Sequence, residues 1–230
     1  MRNAFEGNRQ PASPTGCPAC ETAGGDQILS AAHGKISGML AHAAMRDISK
    51  DVAKDLMFAE CYVETERLRL RPVTMDDLPE YSDMLADPDA FTFSERGPMG
   101  PDEAFTRLCR QVGHWMLLDY GLFGVFEKKS DRFVGEVGFG NFNRQIGAHF
   151  DRHPEACWTI RRPFQGRGYA QEAARAALEF TEDRLIATRT VAMVHHENQA
   201  SIHIARNLGF RAYDERIYRG YRAILFAREY

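Results

Sequence analysis

Pro163-Phe164-Gln165-Gly166-Arg167-Gly168-Tyr169-Ala170 decides how this chain is read. Before it lies a strand-like run, Glu155-Ala-Cys-Trp-Thr-Ile-Arg161. After it comes an alanine-rich helical stretch from Gln171 to about Glu182. A glycine-rich turn between a strand and a helix start suits an anion such as a pyrophosphate. Glycine lets the backbone approach the ligand, and the first helical N–H groups have no internal partner. The spacing is not the G-x-G-x-x-G of dinucleotide-binding proteins, and the lysine and hydroxyl of a P-loop are absent. Alone, such a turn is also an ordinary tight connection.

Working outward, the remaining sequence alternates strand and helix signals. Leu68–Arg71 alternates leucine with arginine, as a half-buried strand does. Thr74-Met-Asp-Asp77 resembles a capping box and opens a helix to about Ala86; Pro101 begins a second, to about Leu118. Residues 121–127 and 132–140 read as a hairpin around a Lys-Lys-Ser-Asp turn, and 141–153 as a loop. A β-branched strand spans Thr188–Val194, and a helix from Asn198 to Leu208 ends at Gly209, a suitable left-handed cap. Two last strands, near 210–216 and 221–228, are spaced for a hairpin around Arg219-Gly220. The sum is an α/β domain with a mixed sheet.

Composition excludes several classes. The chain has 230 residues, is 44% hydrophobic and 27% charged, and carries a formal net charge of -3. A general nucleic-acid binder would be basic. No run has the roughly 18–20 apolar residues that cross a bilayer, and no signal-peptide core precedes the domain. We therefore expect no nucleic-acid or membrane partner and a cytoplasmic location. The odd count of five cysteines fits reduced thiols.

Residues 1–60 are expected to be an extension, 1–34 disordered for want of large apolar groups, then partly helical over Ile36–Leu56. Met57 is the expected natural start. Cys17 and Cys20 form a C-x-x-C pair, but His33 and His42 are too far apart for usual zinc spacing, and no metal is expected.

Four separated segments resemble the GNAT superfamily of acyl-CoA N-acyltransferases, nearest its RimJ/RimL-type branch. They are Glu64-Thr-Glu-Arg-Leu-Arg-Leu-Arg-Pro72, Glu155-Ala-Cys-Trp-Thr-Ile160, Gln165-Gly-Arg-Gly-Tyr-Ala-Gln-Glu-Ala173, and Asn198-Gln-Ala-Ser-Ile202 with Asn207-Leu-Gly-Phe210. The resemblance covers residues 61–230. It implies a mixed, largely antiparallel sheet, splayed at the cofactor site and flanked by helices. It also implies acetyl-CoA as co-substrate and direct acetyl transfer to a primary amine, on a small molecule or a peptide. A non-catalytic acyl-CoA sensor is the alternative. An exposed sheet edge could pair two chains as a homodimer.

The resemblance assigns roles residue by residue. Thr159, Ile160 and Arg161 would offer strand backbone to the pantetheine arm. The backbone of Gln165, Gly166, Arg167, Gly168, Tyr169 and Ala170 would hold the pyrophosphate, and Asn198 the pantetheine amides. Pro163 departs from the pattern by removing an N–H donor, which Arg161 or Arg162 could replace. The attacking amine must lose a proton, so a carboxylate base is sought: Glu155 first, Glu136 second. Many relatives protonate the leaving thiolate with a tyrosine where this chain has Ala205; Ser201 or water would assist instead. Cys157, a lone strand cysteine, is expected to be a packing residue rather than a nucleophile. Residues 91–100 and 141–153 are expected to shape the acceptor pocket.

Overall fold

The computed structural model describes Phe58 and residues 60–93, 97–184 and 188–229. The expectations for residues 1–57, including Cys17, Cys20, His33 and His42, lie outside the described residues. Strands β1 (Val63–Glu64), β2 (Leu68–Arg71), β3 (Leu122–Glu127), β4 (Phe133–Gly140), β5 (Glu155–Ile160), β6 (Arg189–His195), β7 (Arg211–Tyr218) and β8 (Tyr221–Glu229) form one sheet in the order β1-β2-β3-β4-β5-β6-β8-β7. All neighbours are antiparallel except β5 and β6. The sheet is mixed and largely antiparallel, as expected, and it is open.

The helices are α1 (Leu78–Ala86), α2 (Pro101–Leu118), the single turn α3 (Ala148–Asp151), α4 (Tyr169–Arg184) and α5 (Gln199–Asn207). The expected helix from Thr74 begins as a 3-10 turn over Met75–Asp77 before α1. Asp77 draws the chain in: it accepts the Thr74 N–H at 2.7 Å and both Arg71 nitrogens at 2.7 and 2.8 Å. The 141–153 segment contains α3, which the sequence reading missed. Four residues carry too little periodicity to signal a helix.

Alternation along β4 and β5 sends side chains to two layers. One layer holds Val137, Phe139, Ala156 and Ile160 against Ala173, Ala174, Ala177 and Leu178 of α4 and Ile202 and Ala205 of α5. Alanines on the buried stripe of α4 let that helix lie close to the sheet. On the other face Tyr81, Met84 and Leu85 of α1 meet Leu108 of α2 and Phe133. The β7–β8 hairpin turns through Arg219 and Gly220, both left-handed at φ 49° and 90°, the type I′ pattern that matches strand twist. Among the described residues no helix is long and apolar enough to cross a membrane.

Candidate active site: a splayed strand pair between two pockets

The parallel pair β5–β6 touches at one register position, Glu155 opposite Val191. Beyond it the strands part, whereas β4 and β5 stay paired from Gly135–Ile160 to Gly140–Glu155. Parity decides which backbone groups face the gap. The Arg161 N–H donates to Val134 O at 2.9 Å, so Arg161, Thr159 and Cys157 turn their backbone toward β4. Val191 N–H donates to Pro154 O at 3.0 Å, which puts Ala156, Trp158 and Ile160 on the β6 side. The sequence reading nominated Thr159, Ile160 and Arg161. Alternation turns the backbone of Ile160, and with it Trp158, to the gap, while Thr159 and Arg161 turn theirs to β4. The Ile160 carbonyl accepts the Gln165 side-chain N–H at 2.8 Å.

The gap opens a groove of about 850 Å³ lined by Trp158, Thr159, Ile160, residues 164–166 and 168–171 of the turn, Asn198 and Ser201, among others. Gly166 and Gly168 have φ 73° and 79°, left-handed values that a side chain disfavours. They fold the chain so that α4 begins at Tyr169 with its unpaired N–H groups at the groove. Asn198 caps α5 by accepting the Ser201 N–H at 3.0 Å. Ser201 Oγ accepts the Trp158 indole N–H at 3.1 Å, bridging the two arms of the splay. Gln171, also in the groove wall, has neither carboxamide atom satisfied by the described protein atoms. A groove edged by strand backbone, a left-handed glycine turn and an unsatisfied carboxamide fits an acyl-CoA.

Two of the cationic side chains near the turn, Arg161 and Arg167, point elsewhere. Arg167 donates to Pro163 O at 2.8 Å and does not line the groove. Arg161 donates to Glu80 at 2.7 Å and to Phe133 O at 3.1 Å. Arg162 does line the groove, ion-paired with Asp89. Arg67, which sequence reasoning missed, braces the turn from behind. Its Nε and Nη1 donate to Glu172 and to Arg167 O at 2.7 and 2.9 Å, and its guanidinium lies 4.7 Å from the Tyr169 ring centroid. Thr65 adds a 2.5 Å hydrogen bond to Glu172. The signal was present, since Thr65 and Arg67 belong to the Glu64–Pro72 segment, but only folding brings them to α4.

A second pocket, of about 630 Å³, lies on the opposite face and shares Thr159 and Ala90 with the groove. Parity puts Glu136, Cys157 and Thr159 on this face. Glu136 is 1% exposed, ion-paired with Arg107, and accepts the Tyr81 hydroxyl at 3.0 Å. Burial and the Glu136 charge hold the Tyr81 hydroxyl well above its usual range. Glu155 is 4% exposed and lines neither pocket. It accepts Arg144 Nε through both oxygens, at 2.8 and 2.6 Å. Burial outweighs Arg144 and raises its pKa. Burial, with Glu136 adding, pushes the Cys157 thiol up to about 12. Ala205 is fully buried and offers no acid. Residues 91 and 142–145 line this pocket, within the two segments expected to shape it. Among the described residues no group of three or more His, Cys, Asp or Glu side chains could hold a metal.

Known proteins share the sequence pattern and the fold. A family model described as an acetyltransferase (GNAT) domain matches residues 67–211. A putative GNAT-family acetyltransferase from Bordetella pertussis superposes with a TM-score of 0.65 at 32% identity, over 73% of this chain and 98% of that one. A RimL ribosomal alpha-N-protein acetyltransferase solved with coenzyme A shares the fold, with a TM-score of 0.61 at 15% identity, covering 73% and 97%. A Bacillus licheniformis protein named as an uncharacterized N-acetyltransferase, p20, is 24% identical over 148 residues, 64% of this chain and 80% of that protein. With the matched model spanning more than half its length and the splayed, glycine-turned groove behind it, this chain belongs to the GNAT acetyltransferase family.

Proposed function

We propose that this protein is an acetyl-CoA-dependent N-acetyltransferase of the cytoplasm that transfers acetyl directly to a primary amine. The observation that carries the reading is the meeting of two pockets at Thr159, one edged by the strand gap and the glycine turn and the other lined by polar groups. Acetyl-CoA supplies an activated thioester. The Gln165–Ala170 backbone would hold its pyrophosphate, Asn198 and the gap-facing backbone of Trp158 and Ile160 its pantetheine arm. The Ser201 hydroxyl, already accepting from Trp158, has its proton to give and would donate toward the leaving sulfur.

Glu136 stands in the acceptor wall, so it is better placed than Glu155 to receive the amine's proton through water. Glu155 would act from behind by holding Arg144 in position. Cys157 supports direct transfer. Burial pushes its thiol up to about 12, which favours the neutral thiol over the thiolate that a covalent nucleophile needs.

The test is calorimetric titration of acetyl-CoA into wild type and Gly168→Pro, followed by thiol release with a panel of amines. We expect binding by wild type, loss of binding in the variant, and acetylated nitrogen in the product by mass spectrometry. Binding with no turnover of any amine would favour a non-catalytic sensor. No binding would overturn both readings.

A further inference from the structure

The acceptor pocket is lined by arginines from three distant segments. Arg107 and Arg110 come from α2, Arg144 from the β4–β5 connection and Arg219 from the β7–β8 turn. Among the described residues of that wall, Glu136 is the one carboxylate, and it pairs with Arg107. Glu155 lies behind Arg144 and engages it through Nε. Tyr218 stands between Arg144 and Arg219, whose guanidinium carbons lie 5.6 and 5.4 Å from its ring centroid. The aromatic ring thus fixes two cations in one wall. Asp102 and Glu103 are exposed and line the adjoining outer depression, alongside Arg107, Arg110 and Arg219, rather than the pocket itself.

Glu136 and Glu155 balance Arg107 and Arg144, which leaves Arg219 at the rim to set the sign of the field on the Tyr218 side, and the cavity focuses that field. Guanidinium also presents a planar fork that matches a carboxylate. A polyamine or aminoglycoside would add like charge to this wall. An amine that carries its own carboxylate would complement it.

We propose that the acceptor is an amine bearing a carboxylate, with the nitrogen directed to Thr159 and the carboxylate to the Arg144–Tyr218–Arg219 side. This rests on the N-acetyltransferase reading and narrows it. Thr159 is where acyl groove and acceptor pocket join, so the reacting nitrogen belongs there. Arg219, in an exposed turn, is the element farthest in the chain from the catalytic strands, and its position is set by the type I′ hairpin.

The experiment measures acetyl-CoA thiol release at low and at about 0.5 M salt with paired acceptors. Free glutamate is set against glutamine amide, and the tripeptide amide Ser-Asp-Glu against Ser-Asn-Gln. Spermidine is the cationic comparison. We expect kcat/KM for a carboxylate-bearing acceptor to exceed its neutral isostere and spermidine by about tenfold or more, the scale of one charge-assisted hydrogen bond. That ratio should shrink in high salt. It should collapse toward one in Arg219→Gln, while acetyl-CoA affinity, read by calorimetry, stays within about twofold. The glutamate and peptide arms separate a free amino acid from a chain terminus.

Equal or faster turnover of the neutral or cationic acceptors would overturn this inference and leave the N-acetyltransferase reading standing. So would a carboxylate preference unchanged in Arg219→Gln. Absence of turnover with every acceptor would overturn both.

Discussion

Replacing Arg144 by methionine should make the stability of this protein depend on pH in a direction the structure dictates. Glu155 is 4% exposed, and both its oxygens face Arg144. Removing the guanidinium leaves a carboxylate with no counter-charge in the strand β5 that supports both pockets. Breaking a buried pair costs about 3–5 kcal/mol. Arg144 keeps 25% of its side-chain surface, so water screens part of the loss, and about 2–3 kcal/mol is expected at pH 8. The Glu155 pKa is already raised by burial, and Arg144 is the group that lowers it. Without Arg144 it rises further.

A group whose pKa is raised on folding contributes stability below its unfolded value, about 4.3 for glutamate. That contribution is lost as pH rises through the folded pKa. The penalty of Arg144→Met should therefore be largest at pH 8 and shrink toward pH 5.5, with a slope of at most about 1.4 kcal/mol per pH unit. Urea unfolding followed by the fluorescence of Trp115 and Trp158 measures it. The companion Arg144→Met with Glu155→Leu removes both charges and should recover most of the loss at pH 8. A loss equal at pH 5.5 and 8, or below about 0.5 kcal/mol at pH 8, would refute the reasoning.

Two further outcomes follow from the site. Arg67→Met removes the brace behind the glycine turn, so acetyl-CoA affinity should weaken by about five- to tenfold in calorimetry, with about 1 kcal/mol lost in stability. Unchanged affinity would mean the turn holds its shape without Arg67. Cys157→Ser should keep kcat/KM within about fivefold, because loss of a covalent nucleophile costs orders of magnitude more. An acetyl group found on Cys157 by mass spectrometry would contradict that.

The groove side of the site was legible along the chain. The glycine turn, the strand before it, the helix after it and the Asn198 cap are local features, and local features are set by φ, capping and periodicity within a few residues. The β3–β4 and β7–β8 hairpins were legible for the same reason, since turn chemistry and alternation lie side by side in the chain. The remainder came from packing and strand register. Which strand residues face the gap depends on pairing with β4: Arg161 turns its amide to Val134, and Trp158 and Ile160 turn theirs to the splay. Whether a glutamate is reachable depends on neighbours more than fifty residues away for Glu136, where Tyr81 closes one side. The brace of Arg67 on Glu172 spans 105 residues, and the arginine wall draws on three segments of the chain. Such contacts form only when the sheet closes the distance, because a side chain's partners are fixed by packing and register, which no local spacing encodes.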